Sequence, residues 1–181
     1  MSASSSPPDP AHPSRSDLPT AAAGSAGLGV HVLGIDHVGV AVADVDEAVA
    51  RYRRLLGLVE LHREVNDEQG VVEVMLGSPR RPSAPPLQVL APTGPASPLQ
   101  RFLHRRGPGL QQLAYRVDDV AQASRTLADA GVRLLYDEPR TGTAGSRINF
   151  IHPADGGGVL IELVELVEPA DPSHLPARGR S

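Results

Sequence analysis

The chain has 181 residues, 40% of them apolar, with 17 basic and 21 acidic side chains and a formal net charge of −4. That length suits one domain or two small fused ones, and the acidic balance argues against nucleic acid as a partner. Cysteine is absent, which excludes disulfides, thiolate metal sites and a cysteine nucleophile; lysine is absent too, which excludes Schiff-base chemistry and a lysine base.

Residues 1–28 are mostly Ser, Pro, Ala, Gly and Asp without apolar periodicity, and are expected to be a disordered tail. They show no basic start or long apolar run of a secretory signal, and no stretch nears membrane-spanning length, so a cytoplasmic protein with no membrane partner is expected. His37–Val42 alternates as a strand does. Asp44 then precedes a run with helical spacing, Val45–Leu56, which Gly57 stops. Strands are expected at Val59–Arg63, Val71–Leu76 and Leu87–Ala91, separated by turn-rich text at 66–70 and 79–86. Residues 92–109, rich in Pro and Gly, read as a connection with a short helical segment near Leu99–Arg105.

The order then repeats. Leu110–Val120 superposes on Ile35–Val45, placing Gln112 over His37, Val117 over Val42 and Asp119 over Asp44. Asp119 precedes the helical run Val120–Ala130, and Gly131 stops it. Strands are expected at Arg133–Tyr136, Arg147–Ile151 and Val159–Glu165, and residues 169–181 read as a second disordered tail. Ile161–Glu162–Leu163–Val164 superposes on Leu87–Gln88–Val89–Leu90. The expected architecture is α+β: two tandem βαβββ modules, at about 34–91 and 110–168, forming a cupped, pseudo-twofold mixed sheet around a metal cavity. His37, Gln88, Gln112 and Glu162 sit at matched places of the two halves and would point into that cavity. Gly39 and Ala41 share the face of His37 and leave room there.

A paired βαβββ fold with possible ligands on the first and last strand of each module resembles the vicinal oxygen chelate superfamily. The local text is more specific. Ile35–Asp36–His37, Glu68–Gln69–Gly70–Val71–Val72–Glu73, Leu87–Gln88–Val89, Leu134–Leu135–Tyr136–Asp137–Glu138–Pro139, Arg147–Ile148–Asn149–Phe150–Ile151–His152–Pro153 and Gly158–Val159–Leu160–Ile161–Glu162–Leu163 resemble the methylmalonyl-CoA epimerase family over about residues 33–166. The resemblance implies a divalent ion such as cobalt or manganese, a coenzyme A thioester substrate, a homodimer, and removal and return of the proton at C2. It implies His37, Gln88 and Glu162 as metal ligands and Glu73 as catalytic base. The family's fourth ligand is a histidine in a Gly-Leu-His-His motif, which here reads Gly109–Leu110–Gln111–Gln112.

The chemistry fits those residue types. A C2 proton flanked by a thioester and a carboxylate leaves an enolate whose charge must be held on oxygen, and a divalent cation gripping both oxygens does so. One imidazole, two amide oxygens and one carboxylate leave two places open on an octahedral ion. Amide oxygen at Gln112 is a weaker donor than imidazole, so weaker retention and a shift toward harder ions, manganese or magnesium, are expected. Glutamine there can also simply hydrogen-bond within the cavity. The expected repeat mate of Glu73 is roughly Asn149, which cannot donate a proton as an acid. Arg105, Arg106, Arg140 and Arg147 are candidates for the coenzyme A phosphates, and His152 is expected to be structural. Three other readings stay open: a related enzyme acting on another 2-substituted malonyl or acyl thioester, a metal-free small-molecule-binding protein of the same fold, and, with a poorer match of text, glyoxalase-type isomerisation of a glutathione adduct. The second suits the chain less, because two Phe, three Tyr and no Trp give little to stack a flat ligand.

Overall fold

A computed structural model describes residues 27–167. The segments expected to be tails lie outside the described residues, apart from Gly27 and Leu28. In chain order the elements are β1 (Val32–Ala41), α1 (Val45–Leu56), β2 (Val59–Asn66), β3 (Val71–Gly77), β4 (Leu87–Pro92), α2 (Pro98–Arg106), β5 (Gly109–Val117), α3 (Val120–Asp129), β6 (Arg140–Thr141), β7 (Arg147–Ile151) and β8 (Leu160–Glu165).

The strands form one sheet in the order β2-β3-β4-β1-β5-β8-β7-β6, curled into a half-barrel. β1 and β5 meet antiparallel at its centre. Each pairs parallel with the last strand of its own module, β1 with β4 and β5 with β8. The register obeys the repeat: His37 faces Ala114 and Gly39 faces Gln112, so the mate of each pair is the other pair. Likewise Gly39 faces Gln88, and Ala114 faces Glu162.

Both long helices are fixed at their starts by the aspartates that the sequence points to. The Asp44 carboxylate accepts from the backbone N–H groups of Asp46 and Glu47, and Asp119 accepts from that of Gln122. Each such cap stabilises by about 1 kcal/mol. At the end of α1, Gly57 takes a left-handed φ of 66° and donates its N–H to the Arg53 carbonyl. α1 lays Val45, Ala48 and Val49 on Val40, Val42, Val74 and Val89. α3 lays Val120, Ala123 and Leu127 on Val117 and Leu163. Both cover the convex side of the sheet. Its concave side carries two further apolar clusters, Ala41, Val71 and Leu90 under α2 in one half and Ala114, Ile148, Phe150 and Val164 in the other.

Two expectations are corrected. Residues 133–136 do not form a regular strand. Leu135 donates its N–H to the Phe150 carbonyl, but the Tyr136 N–H goes to the Asn149 side-chain oxygen and the Asn149 amide returns to the Tyr136 carbonyl. A side chain thus takes over from the backbone ladder, and the outermost strand is the two-residue β6. The second correction is the mate of Glu73. Glu73 pairs with Leu90, whose repeat partner Val164 pairs with Ile148, not Asn149. A slip of one residue reverses the face, and Asn149 accordingly lies on the convex side, donating to the Ser124 hydroxyl of α3.

Candidate metal centre and base

β1, β4, β5 and β8 each carry one polar residue into the concave face, and the register brings the four together. His37, Gln88, Gln112 and Glu162 are 2%, 2%, 6% and 5% exposed, so each needs a polar partner to be stable there. Those partners are one another. The Gln112 amide nitrogen donates to Glu162 Oε2 and, at 3.2 Å, to Gln88 Oε1, and lies 3.3 Å from His37 Nε2. His37 Nε2 is 3.1 Å from Glu162 Oε2. Gly39 makes this approach possible, since a Cβ there would sit 2.5 Å from Gln112 Cγ.

Gln88 Oε1 and Glu162 Oε2 therefore point at one N–H-bearing nitrogen, and His37 Nε2, once it has lost its proton, adds a third electron-pair donor. That is the electrostatic surrounding a small cation requires, and it fits the donor set expected for a divalent ion. Gln112 would join it by turning its amide so that oxygen replaces nitrogen. Only two of the four are histidine or carboxylate, and among the described residues no three His, Asp or Glu side chains converge on one point.

His37 is held from behind. Its Nδ1 lies 2.9 Å from Asp36 Oδ1, and Arg116 from β5 grips the other Asp36 oxygen with two nitrogens at 2.8 and 3.0 Å. Burial favours the neutral imidazole, yet the hydrogen bonds to Asp36 and Glu162 outweigh it and raise His37 to about 9. Burial also opposes the Asp36 charge, but His37 and Arg116 prevail and keep this carboxyl below its ordinary value.

Glu73 is 2% exposed on β3, beside the four. Gln88 donates its amide N–H to Glu73 Oε2 at 2.9 Å, and the Thr143 hydroxyl donates to Glu73 Oε1 at 2.8 Å. Burial is the main cause that pushes Glu73 up to about 7; Thr143 works against it, and the Glu64 and Glu162 charges add to it. A carboxylate poised there suits removal of a proton near neutral pH.

Thr143 belongs to a segment of module two that crosses onto module one. Arg140 reaches Glu68 at 2.7 Å, Thr143 is also 3.0 Å from the Gln88 amide nitrogen, and Ala144 donates its N–H to Glu64 at 3.1 Å. Ala144 takes a left-handed φ of 54° to do so, which costs about 1–2 kcal/mol for a residue with a Cβ. A cavity of about 130 Å³ opens beside this crossing, lined by His37, His62, Met75, Thr143, Ala144 and Glu162. Another of about 170 Å³ lies across the cluster, against Gln112, Phe102, Tyr136 and Phe150.

The five residues singled out in the sequence thus share one site. Of the arginine candidates, Arg140 is committed to Glu68 and stacks on Tyr136, and Arg147 pairs with Glu165. His152 accepts the Ala154 N–H through Nδ1 at a turn, a structural contact. Roles for Asp36, Glu64 and Thr143 did not emerge from sequence reasoning. Asp36 carried a signal in its adjacency to His37. Glu64 carried another, because closing a hairpin through the turn at 67–70 places it opposite Glu73.

Residues 36–150 match the family model described as Glyoxalase/Bleomycin resistance protein/Dioxygenase superfamily. A crystal structure of methylmalonyl-CoA epimerase from Mycobacterium tuberculosis superposes with a TM-score of 0.73 at 51% identity, covering 77% of this chain and 92% of that one. The Streptomyces coelicolor methylmalonyl-CoA epimerase in complex with 2-nitronate-propionyl-CoA gives 0.71 at 42% identity, covering 76% and 99%. An ethylmalonyl-CoA/methylmalonyl-CoA epimerase of Cereibacter sphaeroides is 32% identical over 134 residues, 73% of this chain and 97% of that protein. With the family model matched across both modules and the same sheet found in these structures, the chain belongs to the Glyoxalase/Bleomycin resistance protein/Dioxygenase superfamily.

Proposed function

We propose that the protein is an epimerase that interconverts the C2 stereoisomers of methylmalonyl-CoA, with Glu73 as the base and His37, Gln88, Gln112 and Glu162 as the ligands of a divalent ion. The observation that carries this reading is the placement of Glu73. It is a buried carboxylate hydrogen-bonded to Gln88 and Thr143, beside a converging donor set of which His37 and Glu162 line a cavity of about 130 Å³. The identities of 42% and 51% to epimerases of known structure support the substrate class.

A divalent cation, when bound, would draw charge from the carboxylate and thioester oxygens of the substrate and so make the C2 proton more acidic. Manganese or cobalt suits one imidazole with three oxygen donors, and the second amide favours the harder manganese. The chain's own residues do the rest. Glu73 Oε1 and Oε2 are each held by one donor, Thr143 and Gln88, which fixes the carboxylate's plane. Glu73 takes the proton from one face of C2. Return from the other face requires a second donor, and Ile148, at the place related to Glu73 by the repeat, cannot be it. Glu162 is the carboxylate on the opposite module that borders the same cavity. The same reading puts the protein in the cytoplasm as a homodimer.

The test is C2 hydrogen exchange on methylmalonyl-CoA, with bound metal measured in the same preparation. Wild type should exchange and Glu73→Gln should lose exchange by at least about a thousandfold, within the range of a general base, while holding its metal. Full exchange in the variant would remove Glu73 from the reaction. Ethylmalonyl-CoA in parallel separates a methyl-specific site from a broader one.

A further inference from the structure

We propose that Glu64 and His62 form a proton exit from Glu73 to solvent, so that the base is reset between turnovers; this rests on Glu73 being the base. Three observations on β2 and β3 carry it. Glu64 stands directly opposite Glu73 in the antiparallel register, so the two carboxyl side chains share one face of the sheet. Cross-strand neighbours of this kind have Cβ atoms about 4.5–5.5 Å apart. His62, two residues before Glu64 on the same strand, brings Nε2 to 2.6 Å from Glu64 Oε2.

Exposure rises step by step along the series. Glu73 is 2% exposed, while the side chains of Glu64 and His62 are 28% and 40% exposed. A buried base has no water of its own to exchange with, so a path of hydrogen-bonding groups that ends at the surface has a use here. The crossing segment fixes both carboxyls from the far side, through the Thr143 hydroxyl on Glu73 and the Ala144 N–H on Glu64. Ala144 holds its left-handed φ of 54° at that contact.

The need follows from the reaction. Removing a proton from one face of C2 and returning one to the other leaves Glu73 protonated and the opposite donor deprotonated. Before the same direction can run again, Glu73 must lose its proton. Along the series, Glu73–COOH gives its proton to the Glu64 carboxylate and becomes a carboxylate again. Glu64–COOH gives it to His62 Nε2, and the imidazolium releases a proton to water. No oxidant or other reactant is needed. The groups facing Glu73 are Glu64, Glu162, Thr143 and Gln88, and those facing Glu64 are His62 and the Ala144 N–H.

The test uses the metal-loaded full chain with C2-deuterated methylmalonyl-CoA in ordinary water, reading deuterium in the recovered starting stereoisomer and the rate of product formation. In wild type, deuterium taken by Glu73 escapes and the recovered substrate loses label. In Glu64→Gln the label should return to C2 before it escapes, so washout from the starting stereoisomer falls at least about tenfold with KM unchanged. Formate should restore washout in Glu64→Ala, which a purely structural loss would not allow. His62→Gln, at a more exposed position, should lower washout in the same direction and serves if the Glu64 variants fold poorly. Washout equal to wild type in Glu64→Gln and His62→Gln overturns the exit path while leaving Glu73 as base. Wild type that shows no exchange at all overturns the base assignment and the path with it.

Discussion

Gln112 and Glu162, on adjacent parallel strands of module two, are joined by a hydrogen bond from the amide nitrogen to a carboxylate oxygen at the centre of the donor cluster. The same nitrogen lies 3.2 Å from Gln88 Oε1 and 3.3 Å from His37 Nε2. The two hydrogens of that nitrogen serve Glu162 and Gln88, protonated His37 donates from Nε2 to Glu162, and no buried polar side-chain atom is left unpaired among the described residues. The cluster is therefore stable by itself, and a cation must compete with an arrangement that already exists.

Replacing Gln112 by histidine removes that competitor and adds an imidazole. Gln112→His is expected to bind divalent metal at least about tenfold more tightly, a difference of about 1.4 kcal/mol. Metal retained after dialysis measures it, and the gain should be larger for cobalt than for magnesium because imidazole is the softer donor. Equal retention in both proteins would mean that position 112 does not reach the ion.

Metal binding should also release a proton. His37 is raised to about 9 without metal, so at pH 7 it carries a proton that a ligating imidazole must lose. Calorimetry in buffers of different ionisation enthalpy should show close to one proton released per ion at pH 7, falling to none well above pH 9. The stability of the metal-free protein follows the same group. Its folded value lies above the ordinary 6.5, so the stabilisation is complete below pH 6.5 and is lost as pH rises through about 9. His37→Gln should flatten that part of the stability curve.

Thr143 holds Glu73 from across the cup, and its hydroxyl favours the charged carboxylate. Thr143→Val removes this donor, so the carboxyl should move upward from about 7, by about one pH unit for 1.4 kcal/mol of lost interaction. The rising limb of exchange against pH should shift to higher pH by that amount, and Thr143→Ser should restore it. An unmoved limb would show that Thr143 only closes the cup.

The sequence carried the fold well because its signals were local and repeated. Asp44 and Asp119 cap their helices, and the superposition of Ile35–Val45 on Leu110–Val120 reappears as the Gly39–Gln112 and His37–Ala114 register. What it carried poorly depended on contacts between distant segments. Thr143 reaches Glu73 from 70 positions away, and the Arg116 grip on Asp36 spans 80; no periodicity announces either. The strand expected at 133–136 failed because the Asn149 side chain substitutes for backbone partners there. Helix and strand periods say which face a residue takes only when the register is right, and at Asn149 it was off by one.

Asn149 is therefore expected to matter for stability and not for chemistry. It is fully buried beneath α3, donates to the Ser124 hydroxyl and the Tyr136 carbonyl, and accepts the N–H groups of Tyr136 and Phe150 through its side-chain oxygen. Asn149→Ala leaves those groups without partners and opens a small void, together costing about 2–4 kcal/mol. Denaturant unfolding should show that loss, while exchange per folded, metal-loaded molecule stays near wild type. Asn149→Asp should be worse for stability, because a carboxylate cannot donate to Ser124 and its charge is buried without a cation. If either folded variant instead loses exchange by more than about tenfold, the convex side is coupled to the site in a way the register alone does not explain.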